Sequence, residues 1–568
     1  MPGCRICRPV SGYTRVGLAT ALWMLSRVLL AAEAAPSQPT AADAKGAAVA
    51  AAPSDAGAAE TPAPPEAAQP KFDVLEYRVQ GNTTLPTIDV EKTIYPFLGP
   101  GRSMKDVESA RVALEALYHD RGFNTVFVDI PEQSVDDGIV RLHVTQGRLR
   151  RVAVTGARYF SGRQIKALLP SARADSVPNL PDLQNELTAL NTQTPDRTVV
   201  PVLRAGPEPG TVDLALKVDD HLPVHGSVEV NNQNTAGTSS LRANATVSYD
   251  NLFGRLDSLS LQYQTSPQDT KEVKVFAGGY TARLNDAGTH LALFYINSDS
   301  TVASIGTLGV IGKGQIASLK LTQPLVLTGT SSQSLSVGVD FKDFQQTILV
   351  DPTATYNTPI AYFNWSLGYS GNVRDDRNQF NLNGAINFGS RGLRNDTTDF
   401  GNKRYLAPAN YAYVRADASY LRVLPGKFTA LVQLGGQYSV EPLISNEEFT
   451  IGGASSVRGY FEAEGLGDMG VRSSFQLGSP PLSWIAERFR LTSFLFFDAA
   501  RVSTLDGLPN EFEHTSLRSW GAGLNFVAPG GLAAAFTWAD PLVSAHAVSE
   551  HYTRRGDSRW LFSVHDSW

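Results

Sequence analysis

From Leu241 onward, hydrophobic and polar residues alternate one by one in run after run. Leu241, Ala243, Ala245, Val247 and Tyr249 interleave with Arg242, Asn244, Thr246 and Ser248, and Leu335, Val337, Val339 and Phe341 with Ser336, Gly338, Asp340 and Lys342. The pattern returns at Phe363, Trp365, Leu367 and Tyr369, at Phe380, Leu382, Ile386 and Phe388, and at Trp520, Ala522, Leu524 and Phe526. A period of two places the apolar set on one face of an extended strand. Stretches rich in Asn, Asp, Gly and Pro between the runs supply turns. Alternation alone also fits a soluble sandwich with its apolar face turned inward. The opposite face argues for something else: Asn, Ser, Thr, Gln and Gly with scattered Asp, Lys and Arg suit a watery lumen. Residues 221–568 therefore read as an all-β transmembrane antiparallel barrel with an oily outside. At about 20 residues per strand and connection, that length makes a barrel in the mid-teens of strands, sixteen being the expected number.

Residues 71–220 keep a different rhythm. The stretch 72–79 reads as a strand turned by Gly81 and Asn82. Ser103 with Asp106 opens a helix whose Val107, Ala110, Leu114, Leu117 and Tyr118 form one apolar stripe, and Gly122 ends it. Two strands follow at 125–130 and 139–144. A second round comprises a strand at 151–154, helices at 161–169 and 182–190, and strands at 198–203 and 212–218. An internal repeat of about seventy residues accounts for this order, giving two small α+β modules at 71–148 and 149–220.

Upstream, residues 35–70 are mostly Ala, Pro and small polar residues, with too little apolar bulk to offset chain entropy; they read as a flexible tether. Arg5, Arg8 and Arg15 precede an apolar run at 16–32, and Ala32 and Ala34 supply small residues for cleavage, the layout of a secretory leader over residues 1–34. Both cysteines, Cys4 and Cys7, lie inside that leader, so the exported chain would form no disulfide. The charge of −6 becomes more negative still once a leader with four arginines and one glutamate is removed, which argues against a nucleic-acid partner.

Candidate chemistry is thin. Gly312-Lys313-Gly314 resembles part of a phosphate-binding loop, but Thr307 stands where the earlier glycine is required and no Ser or Thr follows the lysine. His221 and His225 are four apart, yet Pro223 between them denies a helix and no third ligand is near. Neither H-E-x-x-H nor G-x-S-x-G occurs. Enzymatic function, a metal and a cofactor are not expected.

Pro131-Glu132-Gln133, followed by Asp137-Gly138-x-Val140-Arg141-Leu142-x-Val144-x-x-Gly147, resembles the end of the first POTRA module in two-partner secretion transporters, the ShlB/FhaC/HecB haemolysin secretion/activation family. Val79-x-Gly81-Asn82-Thr83 and Tyr118-x-x-Arg121-Gly122-Phe123 fit that module in the same order, and the likeness covers nearly all of the chain after the leader. Val457-Arg458-Gly459-Tyr460 is similar to the family's signature in a sixth extracellular loop that folds back into the lumen, here around 445–475. Phe496-x-Asp498-x-Ala500 resembles the barrel-wall motif paired with it, with Ala500 where the family usually has Gly. The parity of Asp498 with Arg490 and Thr492 independently points it at the lumen. Trp560, Phe562, Val564 and the terminal Trp568 look like the aromatic-ended strand read by the barrel-assembly machinery, although Asp566 departs from the usual apolar residue.

The resemblance implies an outer-membrane pore that takes an unfolded exoprotein, an adhesin or a haemolysin, from periplasmic modules and secretes it, with outer-membrane lipid around the barrel. It also allows residues 35–70 to plug that pore. Three other classes stay open: an assembly insertase of the same superfamily, which would be expected to carry more modules; a passive porin, which needs none; and a soluble binding protein, which would dissolve without detergent.

Overall fold

The computed structural model describes residues 71–568 apart from 136, 286, 301–302, 306–307, 346, 352–353, 483–488, 509–511 and 546–551; the predicted leader and tether lie outside the described residues. In the first module, Glu76–Gln80 runs parallel to Ile139–Gln146, which pairs antiparallel with Val126–Asp129. The helix Met104–Asp120 begins with a capping box, in which the Asp106 carboxylate accepts from the Ser103 amide and hydroxyl, each at 2.8 Å. Those bonds hold the Asp106 carboxyl below its usual range. The predicted stripe buries Val107, Ala110, Leu114 and Tyr118 with Val126, Val140 and Leu142.

Two details differ from the sequence reading. The stretch 72–79 is two strands, because the Leu75 amide leaves the ladder to donate to the Gly138 carbonyl at 2.8 Å; Phe72–Val74 then pairs with Gly99–Arg102. A helix at Thr87–Ile94 precedes the predicted one; it is only eight residues long and buries only Val90 and Ile94, too few for a periodic signal.

The second module repeats the plan, with Arg148–Thr155 parallel to Thr211–Asp220 and Arg197–Ala205 antiparallel beside it. The repeat extends to single residues. Gly81 has φ +89 and a Cβ there would lie 2.3 Å from the Val144 carbonyl oxygen; Gly156 has φ +88 and its Cβ would lie 2.2 Å from that of Val218. Each glycine lets the first strand leave the sheet against the backbone of its central strand.

Sixteen strands close the barrel, from Val224–Asn231 to Arg559–Ser567, each next to its sequence neighbours. The closing seam is short, five pairs from Ser563 with Asn231 to Ser567 with Ser227. Val247, Leu261, Leu335, Val337, Leu367, Ile386 and Leu524 stand exposed on the outer wall, as period two requires. The second module meets the near rim: Asn251 Nδ2 donates to the Tyr159 carbonyl at 2.9 Å, and Leu256 packs on the module's core. Counting connections on the far rim from 232–241, the sixth is 440–468.

The lumen is not watery throughout. Its far half holds an apolar core in which Phe400 of the helix Thr397–Lys403, with Ala407, Ala409, Leu443 and Ile444, packs on Val275, Ile296, Ile316, Phe344, Tyr362 and Tyr413 of the wall. Alternation along a strand reports which residues share a face. It is silent about loops that fold back and cover the inner one.

Candidate functional site

The inward sixth loop places Arg458 directly on the barrel wall. Its guanidinium forms a fork to Asp498, Nε to Oδ2 at 2.8 Å and Nη2 to Oδ1 at 2.9 Å, while the Arg458 amide donates to Oδ2 at 3.1 Å. Nη1 donates to Gln476 Oε1 at 3.0 Å and Nη2 to Ser474 Oγ at 3.1 Å. Phe496 supplies a surface for the cation, whose carbon sits 3.5 Å from the ring centroid. The spacing of Phe496 and Asp498 thus has a plain cause: residues two apart share a strand face, so one ion meets a ring and a carboxylate together. Asp498 is fully buried and the Arg458 side chain only 13% exposed. A carboxylate so placed is tolerable only while its cation stays.

The neighbours of Arg458 set its direction. Gly459 has φ +96 and lies against Ala539 and Pro541. The Tyr460 hydroxyl donates to the Val543 carbonyl at 2.6 Å, with the Arg518 carbonyl at 2.9 Å. Val457, Tyr460 and Ala500 share an apolar cluster with Phe449, Ile451, Val502 and Leu517, so the methyl of Ala500 is accommodated between loop and wall.

The motif in the first module does architectural work. Gln133 imitates a strand: its Oε1 accepts from the Arg141 amide at 2.7 Å and its Nε2 donates to the Arg141 carbonyl at 2.8 Å. Pro131 leads out of the strand Val126–Asp129 into this pairing. Asp137 and Gly138 take positive φ, 60 and 70, to turn the chain. Gly147 passes close to Thr125, whose carbonyl oxygen would be 2.6 Å from a Cβ. At the other end of the chain, Trp560, Phe562 and Val564 share the outward face of the last strand with Asp566, while the Trp568 backbone pairs with Gly226 in both directions at 3.0 Å. The discounted His225 faces Asp196 of the second module at 3.1 Å, and no metal-competent cluster occurs among the described residues.

A family model for haemolysin secretion/activation proteins ShlB/FhaC/HecB matches residues 210–526, and one for the ShlB-type POTRA domain matches 72–147. The chain belongs to this family. It is an outer-membrane transporter of two-partner secretion, with POTRA modules in the periplasm, and such transporters act with exoprotein partners. Among its relatives is the outer membrane transporter CdiB of Dickeya dadantii, 24% identical over 71% of both chains. The heme/hemopexin transporter protein HuxB of Haemophilus influenzae is 22% identical over 83% of this chain and 84% of its own. The solved CdiB from Escherichia coli shares the fold at 19% identity, TM-score 0.56, covering 89% of this chain and 93% of that one.

With the transporter's modules in the periplasm, the far rim is extracellular, and loops five and six stand in the mouth of the pore. The residues that tie these loops together were not legible beforehand. Arg404 of loop five forms a fork to the fully buried Asp468 of loop six, Nη1 to Oδ1 at 2.8 Å and Nη2 to Oδ2 at 2.9 Å, and also meets Glu448. Asp468 Oδ2 accepts from the Leu505 amide of the seventh loop at 2.7 Å. Glu464 accepts from the hydroxyl of Thr553, in the eighth, at 2.7 Å. Their sequence separations, 37 to 89 residues, carry no pattern; the one available signal was several acidic residues within a loop predicted to turn inward.

Proposed function

We propose that this transporter is gated, exporting an unfolded exoprotein of adhesin or haemolysin type when loop six leaves its seat at Asp498, and catalysing no chemical step. The observation that carries this reading is a barrel whose extracellular half is filled by its own loops, held by a small set of buried charges. A permanently open porin has no use for such a filling. On the periplasmic side, each module leaves one sheet edge open, along Glu76–Gln80 in the first and 151–155 in the second, whereas on the opposite edges His119, Arg111 and Glu115 take the outward backbone groups of Val126 and Val128 and Asn191 takes those of Val199. An extended client can add itself at the open edge as a strand, its backbone supplying the affinity. Folding of the client outside then gives direction to the transfer. The exposed Trp560 and Trp568 of the closing strand are the features we assign to recognition by the barrel-assembly machinery, and the apolar outer wall is the surface for lipid.

The test is export of the transporter's exoprotein partner. Deletion of residues 71–220 should abolish its appearance in the medium while the barrel still reaches the membrane. Undiminished export without the modules would reject the reading.

A further inference from the structure

Loop six is fastened to the wall at a second place, on strands other than the one that carries Asp498. Glu447, near its start, is 2% exposed. Lys342 Nζ donates to its Oε1 at 2.5 Å, the Tyr362 hydroxyl donates to the same oxygen at 2.5 Å, and the Tyr413 hydroxyl donates to Oε2 at 2.7 Å. Gln437 Nε2 holds the Glu447 carbonyl at 2.9 Å. These partners come from the strands Ser331–Phe344, Ile360–Arg374, Ala412–Val423 and Thr429–Ser439. Asp498 lies on Arg490–Ser503, the sixth strand on from the one carrying Lys342. The two attachments therefore hold the loop to different sectors of the wall.

The same tyrosines seat loop five. The Phe400 ring meets Tyr362 edge-on at 5.4 Å and Tyr411 at 5.8 Å, and Tyr411 stacks on Tyr413 at 6.2 Å. Phe400 is 1% exposed, and Arg404, one residue past the end of its helix, grips Asp468. Displacing Glu447 strands a buried ammonium and two buried hydroxyls next to the surface on which the helix Thr397–Lys403 rests.

We propose that Glu447 is the second anchor of the gate, a positioning residue that makes loops five and six a single plug. On this reading the mouth opens fully only when both the Arg458 and the Glu447 attachments are released. Buried ionic sets of this kind break sharply because removing one member leaves its partners uncompensated. Without Glu447 the start of loop six loses its bonds to the wall strands Ser331–Phe344, Ile360–Arg374 and Ala412–Val423, and that sector of the mouth leaks although the rest of the loop stays tied; with Glu447 in place the sector is closed.

The inference rests on the barrel being a gated pore, and its test needs no client. The full-length protein, in planar lipid bilayers, is compared with Glu447→Gln and Lys342→Met, with heat-modifiable migration confirming a closed barrel in each. Each single variant should raise the quiescent conductance about tenfold. The double variant should rise no further than the larger single, because the two residues serve one contact. Tyr413→Phe, which removes one hydroxyl and no charge, replaces any variant that fails to assemble and should raise conductance about threefold. Conductance unchanged in these variants, while Arg458→Ala raises it, would overturn the second anchor. Multiplicative effects in the double variant would also overturn it. Export lost in none of the variants and not even by deletion of residues 71–220 would reject the transport reading, yet leave a conductance effect standing.

Discussion

Replacing Arg458 by alanine isolates the contact on which gating turns. The change removes two ion-pair bonds to Asp498, the guanidinium's bonds to the neutral acceptors Gln476 and Ser474, and the stack on Phe496. The Arg458 amide bond to Asp498 survives, since alanine supplies the same N–H. What remains is a fully buried carboxylate with one neutral donor. Breaking a buried pair in this one-sided way costs about 3 to 5 kcal/mol. Water entering the vacated volume offsets part of it, so a net value of about 3 kcal/mol against the seated loop is reasonable, roughly a hundredfold in the ratio of seated to released loop. The barrel's strand ladders do not involve this side chain, so closure should persist. Export of the exoprotein into the medium, at equal barrel abundance, should fall sharply because the released loop no longer cycles through its seated state. Arg458→Lys should be intermediate, keeping charge and losing the fork. Arg458→Ala with Asp498→Asn should be less perturbed in loop seating than Arg458→Ala alone, because no buried charge is stranded. Normal export by Arg458→Ala, or strictly additive losses in the double variant, would refute the reasoning.

Other consequences are equally measurable. Gly81→Ala and Gly156→Ala should each destabilise their module by about 2 kcal/mol or more, given a positive φ and a carbonyl oxygen within 2.3 Å, and both should lower the urea midpoint for proteolysis of the modules in the full chain; Gly237→Ala, with a positive φ but open space, should cost less. Gln133→Ala removes two bonds to the Arg141 backbone at about 0.5 to 1.5 kcal/mol each, and should loosen the first module in the same assay without touching bilayer conductance. Burial pulls the Lys403 ammonium of loop five down to about 8, below the ordinary 10.4. Between those values the seated loop binds fewer protons than a released one, so seating strengthens as pH rises through the window and is weakest below pH 8. Quiescent conductance should fall from pH 7.5 to 9.5, and Lys403→Met should flatten that slope; a slope unchanged by the substitution removes Lys403 as its source.

Local and periodic features of this chain were legible before any coordinates. Period two over residues 221–568 sets which side chains face lipid, because a strand has only two faces and the backbone alternates between them. Ser103 with Asp106 marks a helix start because capping joins residues three apart. The parity of Asp498 followed from the same rule, and the partner Arg458 came through a resemblance of motifs, not through physics that spacing alone expresses. The rest needed the folded chain. Neither Lys342 with Glu447 nor Arg404 with Asp468 bears any periodic relation, since closure of the barrel and the return of its loops bring them together across 105 and 64 residues. The dry extracellular half of the lumen belongs to the same class of fact. Phe400 and Leu443 sit in connections where periodicity is silent, and their burial is decided by which inner face the returning loop covers. Sequence pattern records what neighbouring residues share with a common backbone; long-range Coulomb pairs and covered surfaces depend on distances that only tertiary closure creates.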